Sequence, residues 1–205
     1  MPHLAPTKIV CVGRNYAAHA KELGNEVPKQ PLLFLKPPSS IVRSGESIRL
    51  PTVSNRVEYE GEIGVVIGRR IKRAAPETVI DAISYICAAN DVTARDLQKS
   101  DVQFTRAKGF DTFCAVGELA QVPADLGQLQ VRTLVNGQVR QDGHASDMVF
   151  DIPTLVSFIS GVMTLEPGDL ILTGTPEGVG TLSAGDVVEV EIVGVSRVTN
   201  PVISE

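Results

Sequence analysis

Glu58-Tyr59-Glu60-Gly61-Glu62-Ile63-Gly64-Val65-Val66-Ile67 leads acidic residues at alternate positions into a β-branched apolar run. β-Branched residues favour strands, and an extended strand turns side chains i, i+2 and i+4 to one face, at about 7 Å per two-residue step. Glu58, Glu60 and Glu62 then share one face, and Tyr59, Gly61 and Ile63 the other. Three like charges so close repel one another. A divalent cation relieves the repulsion, and hard oxygen ligands suit Mg²⁺, Mn²⁺ or Ca²⁺. A solvated edge strand with a charged face is the alternative reading of the same alternation.

The 205 residues suffice for one substantial core, and no Pro/Ser-rich or low-complexity linker divides them, so one domain is expected over residues 1–205. The net charge is −5, and the 19 Lys and Arg are scattered with no basic run. That pattern argues against a nucleic-acid or anionic-membrane partner and for small-molecule work. No apolar run approaches the roughly 18 residues of a membrane span. Met1-Pro2-His3-Leu4-Ala5-Pro6-Thr7 lacks a basic region followed by an apolar one, so a cytoplasmic location is expected. Cys11, Cys87 and Cys114 are odd in number and set among apolar neighbours, which points to buried thiols and away from disulfides or zinc.

Along the chain, Lys8 to Gly13 reads as a buried strand, and Tyr16 to Leu23 as a short helix closed by Gly24. His19 and Glu22 are i and i+3 there, on one helical face, so Glu22 can hold one imidazole nitrogen and leave the other to take a proton. A solvated histidine beside a carboxylate is the plainer reading. The two bounding glycines, Gly13 and Gly24, suggest a segment that closes over substrate. Pro31 to Lys36 is an apolar strand stopped by Pro37-Pro38, and Ser47 to Pro51 is a further short segment. Pro76 to Ile83 reads as a helix and Tyr85 to Asn90 as a strand. Asp91 follows, either facing a cleft or capping the Thr93 to Lys99 turn, and Asp96 stands at the surface or behind the site.

The second half is richer in β signals. Leu129 to Val135 alternates into Asn136-Gly137, a strong hairpin signal, and Gln138 to Arg140 returns. Asp151 to Ser160 reads as a capped helix with an apolar stripe, and Asp169 to Thr173 as a strand. The loop Gly174-Thr175-Pro176-Glu177-Gly178-Val179-Gly180 lets backbone amides approach an anion, but no Gly-Lys-Ser/Thr follows and it is no phosphate loop. Val187 to Ile192 alternates as another strand.

Five segments in chain order resemble the fumarylacetoacetate hydrolase family: Gly13-Arg14-Asn15-Tyr16 with His19 and Glu22, Glu60-Gly61-Glu62, Asn90 to Gln98, Lys108-Gly109-Phe110-Asp111, and Thr173 to Gly180. Within it they resemble the short, single-domain acylpyruvases and oxaloacetate decarboxylases. The resemblance implies a mixed, mainly β fold with few helices, a β-sandwich roll, forming one catalytic domain and usually a homodimer. It implies Mg²⁺, with Mn²⁺ or Ca²⁺ as alternatives, held by Glu60, Glu62 and Asp91, and it removes Glu58 from the ligand set. It assigns His19 and Glu22 to water activation, Lys108 to substrate or oxyanion charge, and Arg14, Gln98 and Thr175 to substrate binding. The implied activity is hydrolysis of a carbon–carbon bond in an acylpyruvate or related 1,3-diketo acid. The alternatives are isomerisation or decarboxylation of a 2-hydroxyhepta-2,4-diene-1,7-dioate-type acid, and decarboxylation of oxaloacetate.

Overall fold

The computed structural model describes residues 4–205; Met1, Pro2 and His3, part of the opening read above for a leader, lie outside the described residues. Apolar runs become β1 (Ile9–Gly13) and β2 (Leu32–Lys36), with the short helix α1 (Ala17–Glu22) between them. β3 (Ile41–Arg43), β4 (Ile48–Leu50), β5 (Val57–Tyr59) and β6 (Gly61–Ile67) follow. The proline-started helix α2 (Pro76–Val79) leads into β7 (Ile83–Asp91) and β8 (Thr93–Ala94). Two short helices, α3 (Arg95–Ser100) and α4 (Thr105–Lys108), precede β9 (Cys114–Val116). The hairpin of β10 (Gln130–Val135) and β11 (Gln138–His144) precedes α5 (Ile152–Val162), whose N-cap Asp151 accepts from Thr154 N at 2.9 Å. The chain finishes with β12 (Leu170–Leu172), β13 (Gly180–Thr181), β14 (Val187–Ile192) and β15 (Ser196–Ser204).

These strands form a seven-stranded sheet ordered β2-β1-β12-β6-β7-β9-β3, a five-stranded sheet ordered β11-β10-β14-β15-β4, and a three-stranded sheet ordered β13-β5-β8. The two larger sheets pack face to face over β6 and β7. Alternation decides which residues meet: Val10 and Val12 of β1 join Ile63, Val65, Ile86 and Ala88 in the core shared with the second sheet. Ile9 and Cys11 turn the other way, onto a second apolar cluster with Cys87, Cys114 and Leu170. Strands buried on both faces read as continuous apolar runs, as these do. All three cysteines are free and buried. Burial first pushes the Cys87 and Cys114 thiols up to about 12; the neighbouring Cys114 adds to the rise at Cys87, and Asp91 and Glu62 add to that at Cys114 against Lys36.

The expected mixed, mainly β fold is the one observed, with local differences. The single strand expected from Glu58 to Ile67 breaks at Glu60, so β5 belongs to the small sheet and β6 to the large one. The cause is a set of bonds on Glu60: its N–H donates to Asn90 Oδ1 at 2.9 Å, and its carbonyl accepts from Asp91 N at 2.8 Å. The helix expected to reach Ile83 ends at Val79, tightening into a 3-10 turn at Ile80–Ala82, because β7 begins at Ile83 and pairs at once with Ile67. The returning hairpin strand reaches His144 because it pairs along the whole of β10. Asn136 and Gly137 both have positive φ, 52° and 76°, as the two-residue turn requires.

Gly61 sets how closely the second sheet approaches. A Cβ at this position would lie 2.0 Å from Thr133 Oγ1 on β10 and 3.2 Å from Gln141 Oε1 on β11, and Gly61 N already donates to Gln141 Oε1 at 2.9 Å. The glycine between the two glutamates is thus a packing requirement of the sandwich. Gly61→Ala is expected to destabilise the protein by about 1–3 kcal/mol, the usual cost of overpacking a filled core, read as a lower denaturant midpoint at unchanged m value.

Candidate active site

Three carboxylates, from Glu60 at the β5–β6 break, Glu62 on β6 and Asp91 at the end of β7, each offer an oxygen within 4.8 Å of the others. All three are buried. They form the floor of a cavity of about 450 Å³, whose wall includes Arg14, His19, Phe34, Gln98, Lys108 and Thr175. The sheets bring these residues together from distant parts of the chain, since β6 pairs with β7 in a register that sets Gly61 opposite Asn90.

Each of the three has at least one oxygen committed to a protein donor. Glu60 Oε1 accepts from Arg95 Nη2 at 2.5 Å, Glu62 Oε2 from Gly174 N at 2.6 Å, and Asp91 Oδ1 from Lys36 Nζ at 2.6 Å. The second oxygens of Glu60 and Asp91 both meet Lys108 Nζ, at 2.7 Å each. Among the described residues, no hydrogen bond reaches Glu62 Oε1 and no cationic side chain pairs with Glu62. The electrostatics follow. Burial works to raise the Glu60 carboxyl, but Lys108 and Arg95 outweigh it and hold the group below the ordinary carboxylate range. Burial raises Glu62, and Asp91 and Glu60 raise it further, well above that range. Lys108 is held in its charged form by Asp91 and Glu60 against the opposing effect of burial.

Glu58 is fully buried but stands apart from this cluster. Its two oxygens accept from Arg56 Nε and Arg95 Nε, each at 2.6 Å, so its charge is neutralised within the protein. Arg95 therefore bridges Glu58 and Glu60, and its Nη1 also donates to Gln98 Oε1 at 2.5 Å. Asp91 does not cap the following helix as one reading had it: α3 begins at Arg95 with no side-chain cap, because both Asp91 oxygens are taken by lysines. Asp96 is half-buried and does not line the cavity, accepting instead from Ser54 Oγ and Asn55 N at 2.6 and 2.8 Å.

On the opposite wall, His19 is buried on α1, and its Nδ1 lies 3.2 Å from Glu22 Oε2. Glu22 Oε1 accepts from Gly178 N at 3.0 Å, which ties α1 to the glycine loop. His19 Nε2 has no partner among the described residues, and a protonated ring lies close enough to Glu60 to favour its charge. The loop amides expected to face a ligand anion thus meet two of the chain's own carboxylates, Glu22 and Glu62. Gly174 is needed there, for its φ is +103° and a Cβ would lie 2.7 Å from Asn15 Cβ. Thr175 lines the cavity, but its hydroxyl is engaged, donating to Gly61 O at 2.9 Å and accepting from Gln141 Nε2 at 2.8 Å. Arg14 stands at the turn after β1 with φ of 58°, a left-handed conformation that costs a non-glycine residue about 1–2 kcal/mol.

Lys36 is the residue that sequence reasoning missed. It is a fully buried lysine at the end of an apolar strand, on the same face as Leu32 and Phe34. A charged residue at an inward position of an apolar run was the available signal. Buried oxygen donors at this density fit a hard divalent ion, since three single-oxygen carboxylates fill about half of an octahedral shell and leave the rest to water or substrate.

A family model described as fumarylacetoacetate (FAA) hydrolase C-terminal matches residues 8–203. The chain is 45% identical over 198 residues to a mitochondrial oxaloacetate tautomerase of Arabidopsis thaliana, covering 94% of this chain and 89% of the relative. It is 43% identical over 196 residues to the mitochondrial oxaloacetate decarboxylase of Dictyostelium discoideum, covering 91% and 89%. The solved structure of 2-hydroxyhepta-2,4-diene-1,7-dioate isomerase from Mycobacterium marinum aligns at a TM-score of 0.91 and 46% identity, over 98% of this chain and 76% of that one.

If the three carboxylates hold the ion, Mg²⁺ at 100 times its Kd is expected to stabilise the fold by about 2.7 kcal/mol. Glu62→Gln, which removes the one floor carboxyl without a cationic partner among the described residues, is expected to abolish that increment in a thermal melt. Full retention of it would remove Glu62 from the ligand set.

Proposed function

Because the chain belongs to the fumarylacetoacetate hydrolase family, we propose that it is a metal-dependent enzyme of 2-oxo dicarboxylic acids of the oxaloacetate type, interconverting keto and enol forms or releasing CO₂. The observation that carries this reading is the floor of three carboxylates with Lys108 and His19 beside it. Mg²⁺ bound there would chelate the substrate's carboxylate and adjacent oxo group and withdraw electrons from the neighbouring carbon.

The chain's own residues supply the rest. His19, oriented through Nδ1 by Glu22, presents Nε2 to the cavity as the base that takes the proton from the substrate's C3 and returns it to the C2 oxygen. That transfer balances as a tautomerisation. Loss of CO₂ breaks the C3–C4 bond instead and needs a proton only at the end, when C3 is reprotonated. Lys108 adds positive charge where oxyanion character develops. Arg14 and Lys99 line the same cavity and form no ion pair among the described residues, which suits a substrate with a second carboxylate. Phe34, Leu32 and Phe104 line the wall of the cavity and limit water there.

Hydrolysis of an acylpyruvate is the second reading, favoured by the same His19–Glu22 pair, because a base so oriented can equally deprotonate a water that attacks the distal carbonyl. The relatives named for tautomerase, decarboxylase and isomerase activities weigh toward the first.

The test is a parallel assay of oxaloacetate tautomerisation, oxaloacetate decarboxylation and acetylpyruvate cleavage with Mg²⁺. Wild type is expected to accelerate an oxaloacetate reaction well beyond free Mg²⁺. His19→Ala is expected to lose about 10²–10⁴-fold in the proton transfer, the usual worth of a positioned base, with Mg²⁺ affinity unchanged. Cleavage of acetylpyruvate alone, with oxaloacetate turned over no faster than by free Mg²⁺, would replace the first reading with the second.

A further inference from the structure

We propose that Lys36 is a positioning residue that makes Asp91 a one-oxygen donor, and that this lock biases the site toward Mg²⁺ over Ca²⁺. The inference rests on the metal reading of Glu60, Glu62 and Asp91 and concerns what selects the ion. Mg²⁺ needs near-octahedral geometry at 2.0–2.1 Å, whereas Ca²⁺ takes six to eight oxygens at 2.3–2.6 Å and commonly draws both oxygens of a carboxylate, values general to these ions. A site whose carboxylates each offer a single oxygen therefore disfavours Ca²⁺.

Each carboxylate of this floor has one oxygen tied in that way, by different means, and the second oxygens of Glu60 and Asp91, each 2.7 Å from the cavity-lining Lys108 Nζ, are the ones left for an ion that would displace that ammonium. Glu62 is held by a backbone amide of the loop at Gly174 and Glu60 by Arg95, which also serves Glu58 and Gln98. Asp91 Oδ1 is held by Lys36 Nζ at 2.6 Å, and the side chains of both residues are fully buried. The second contact of Lys36 is the Val92 carbonyl at 3.3 Å, next to Asp91 in the chain, so the ammonium is fixed from two sides. Its approach is from β2, beneath the floor, and it does not line the cavity. Lys36 thus touches neither substrate nor ion and acts through Asp91 alone. It is also the one lock that a single substitution releases without disturbing another carboxylate.

The experiment is calorimetric titration of the metal-stripped protein with Mg²⁺ and, separately, Ca²⁺, for wild type, Lys36→Met and Lys36→Gln. Wild type is expected to bind Mg²⁺ at least as tightly as Ca²⁺. Lys36→Met keeps the length of the side chain and removes its donors, and Mg²⁺ affinity is expected to fall roughly 10–100-fold, as for other residues that orient a metal ligand. Ca²⁺ affinity should fall far less, so that the Mg²⁺/Ca²⁺ ratio shifts at least about tenfold toward Ca²⁺. Equal weakening of both ions in either variant would overturn the lock while leaving the metal site intact, as would a wild type that already prefers Ca²⁺ by about tenfold, a result that needs no folded variant. Failure of wild type to bind either ion would remove the metal site and the lock together.

Discussion

Four carboxylates, those of Glu58, Glu60, Glu62 and Asp91, are buried in one region, and the way each charge is met organises the surrounding chain. An unpaired buried charge costs several kcal/mol, and removing one member of a buried pair typically costs about 3–5 kcal/mol. Arg95 answers Glu58 and Glu60, Lys108 answers Glu60 and Asp91, and Lys36 answers Asp91. Glu62 is left with a backbone N–H and the repulsion of its neighbours. The protein's cations therefore neutralise most of the cluster without completing it. That remainder is what leaves the cluster able to hold a hard cation, as proposed above, where a closed salt-bridge network would not.

The fold serves this arrangement through one local break. Had the chain run straight from Glu58 to Ile67, alternation would have set three glutamates on one face. The bend at Glu60, pinned by Asn90 and by the Asp91 amide, sends Glu58 toward Arg56 and Arg95 and leaves Glu60 and Glu62 facing Asp91. Gly61 lets the second sheet close over the bend. The glycine loop after β12 then performs two tasks with two of its amides, fixing Glu62 through Gly174 and Glu22 through Gly178. Floor and wall are in this way joined through one seven-residue loop, and a shift in it would move the His19–Glu22 pair and a floor carboxylate together.

How much of this the sequence displayed depends on the range of the interaction. The Asn136-Gly137 hairpin, the Asp151-capped helix and the buried cysteine strands were legible because they rest on local periodicity and turn chemistry. The Glu60–Glu62–Asp91 grouping was not visible from spacing, which left Glu58 open as a ligand; the family resemblance separated them. Lys36 was missed because a lysine before two prolines looks like a strand end meeting solvent, and only the parallel and antiparallel pairings across the large sheet bury it under Asp91. Arg95 was seen as part of a motif without a role, since its partners lie 35 and 37 residues away. The short strands β3, β8 and β13 carry too few residues for any period to show.

A carboxylate floor that is an open metal site for a 2-oxo acid, as proposed here, makes a direct demand on anion binding. Oxalate mimics the planar enolate of such an acid, and calorimetric titration of oxalate into the protein, with Mg²⁺ and then in excess chelator, tests the claim directly. Saturable oxalate binding with Mg²⁺ and its loss in chelator is the predicted result. Binding of equal strength in both conditions would mean that Arg14, Lys99 and Lys108 alone hold the anion, and would contradict it.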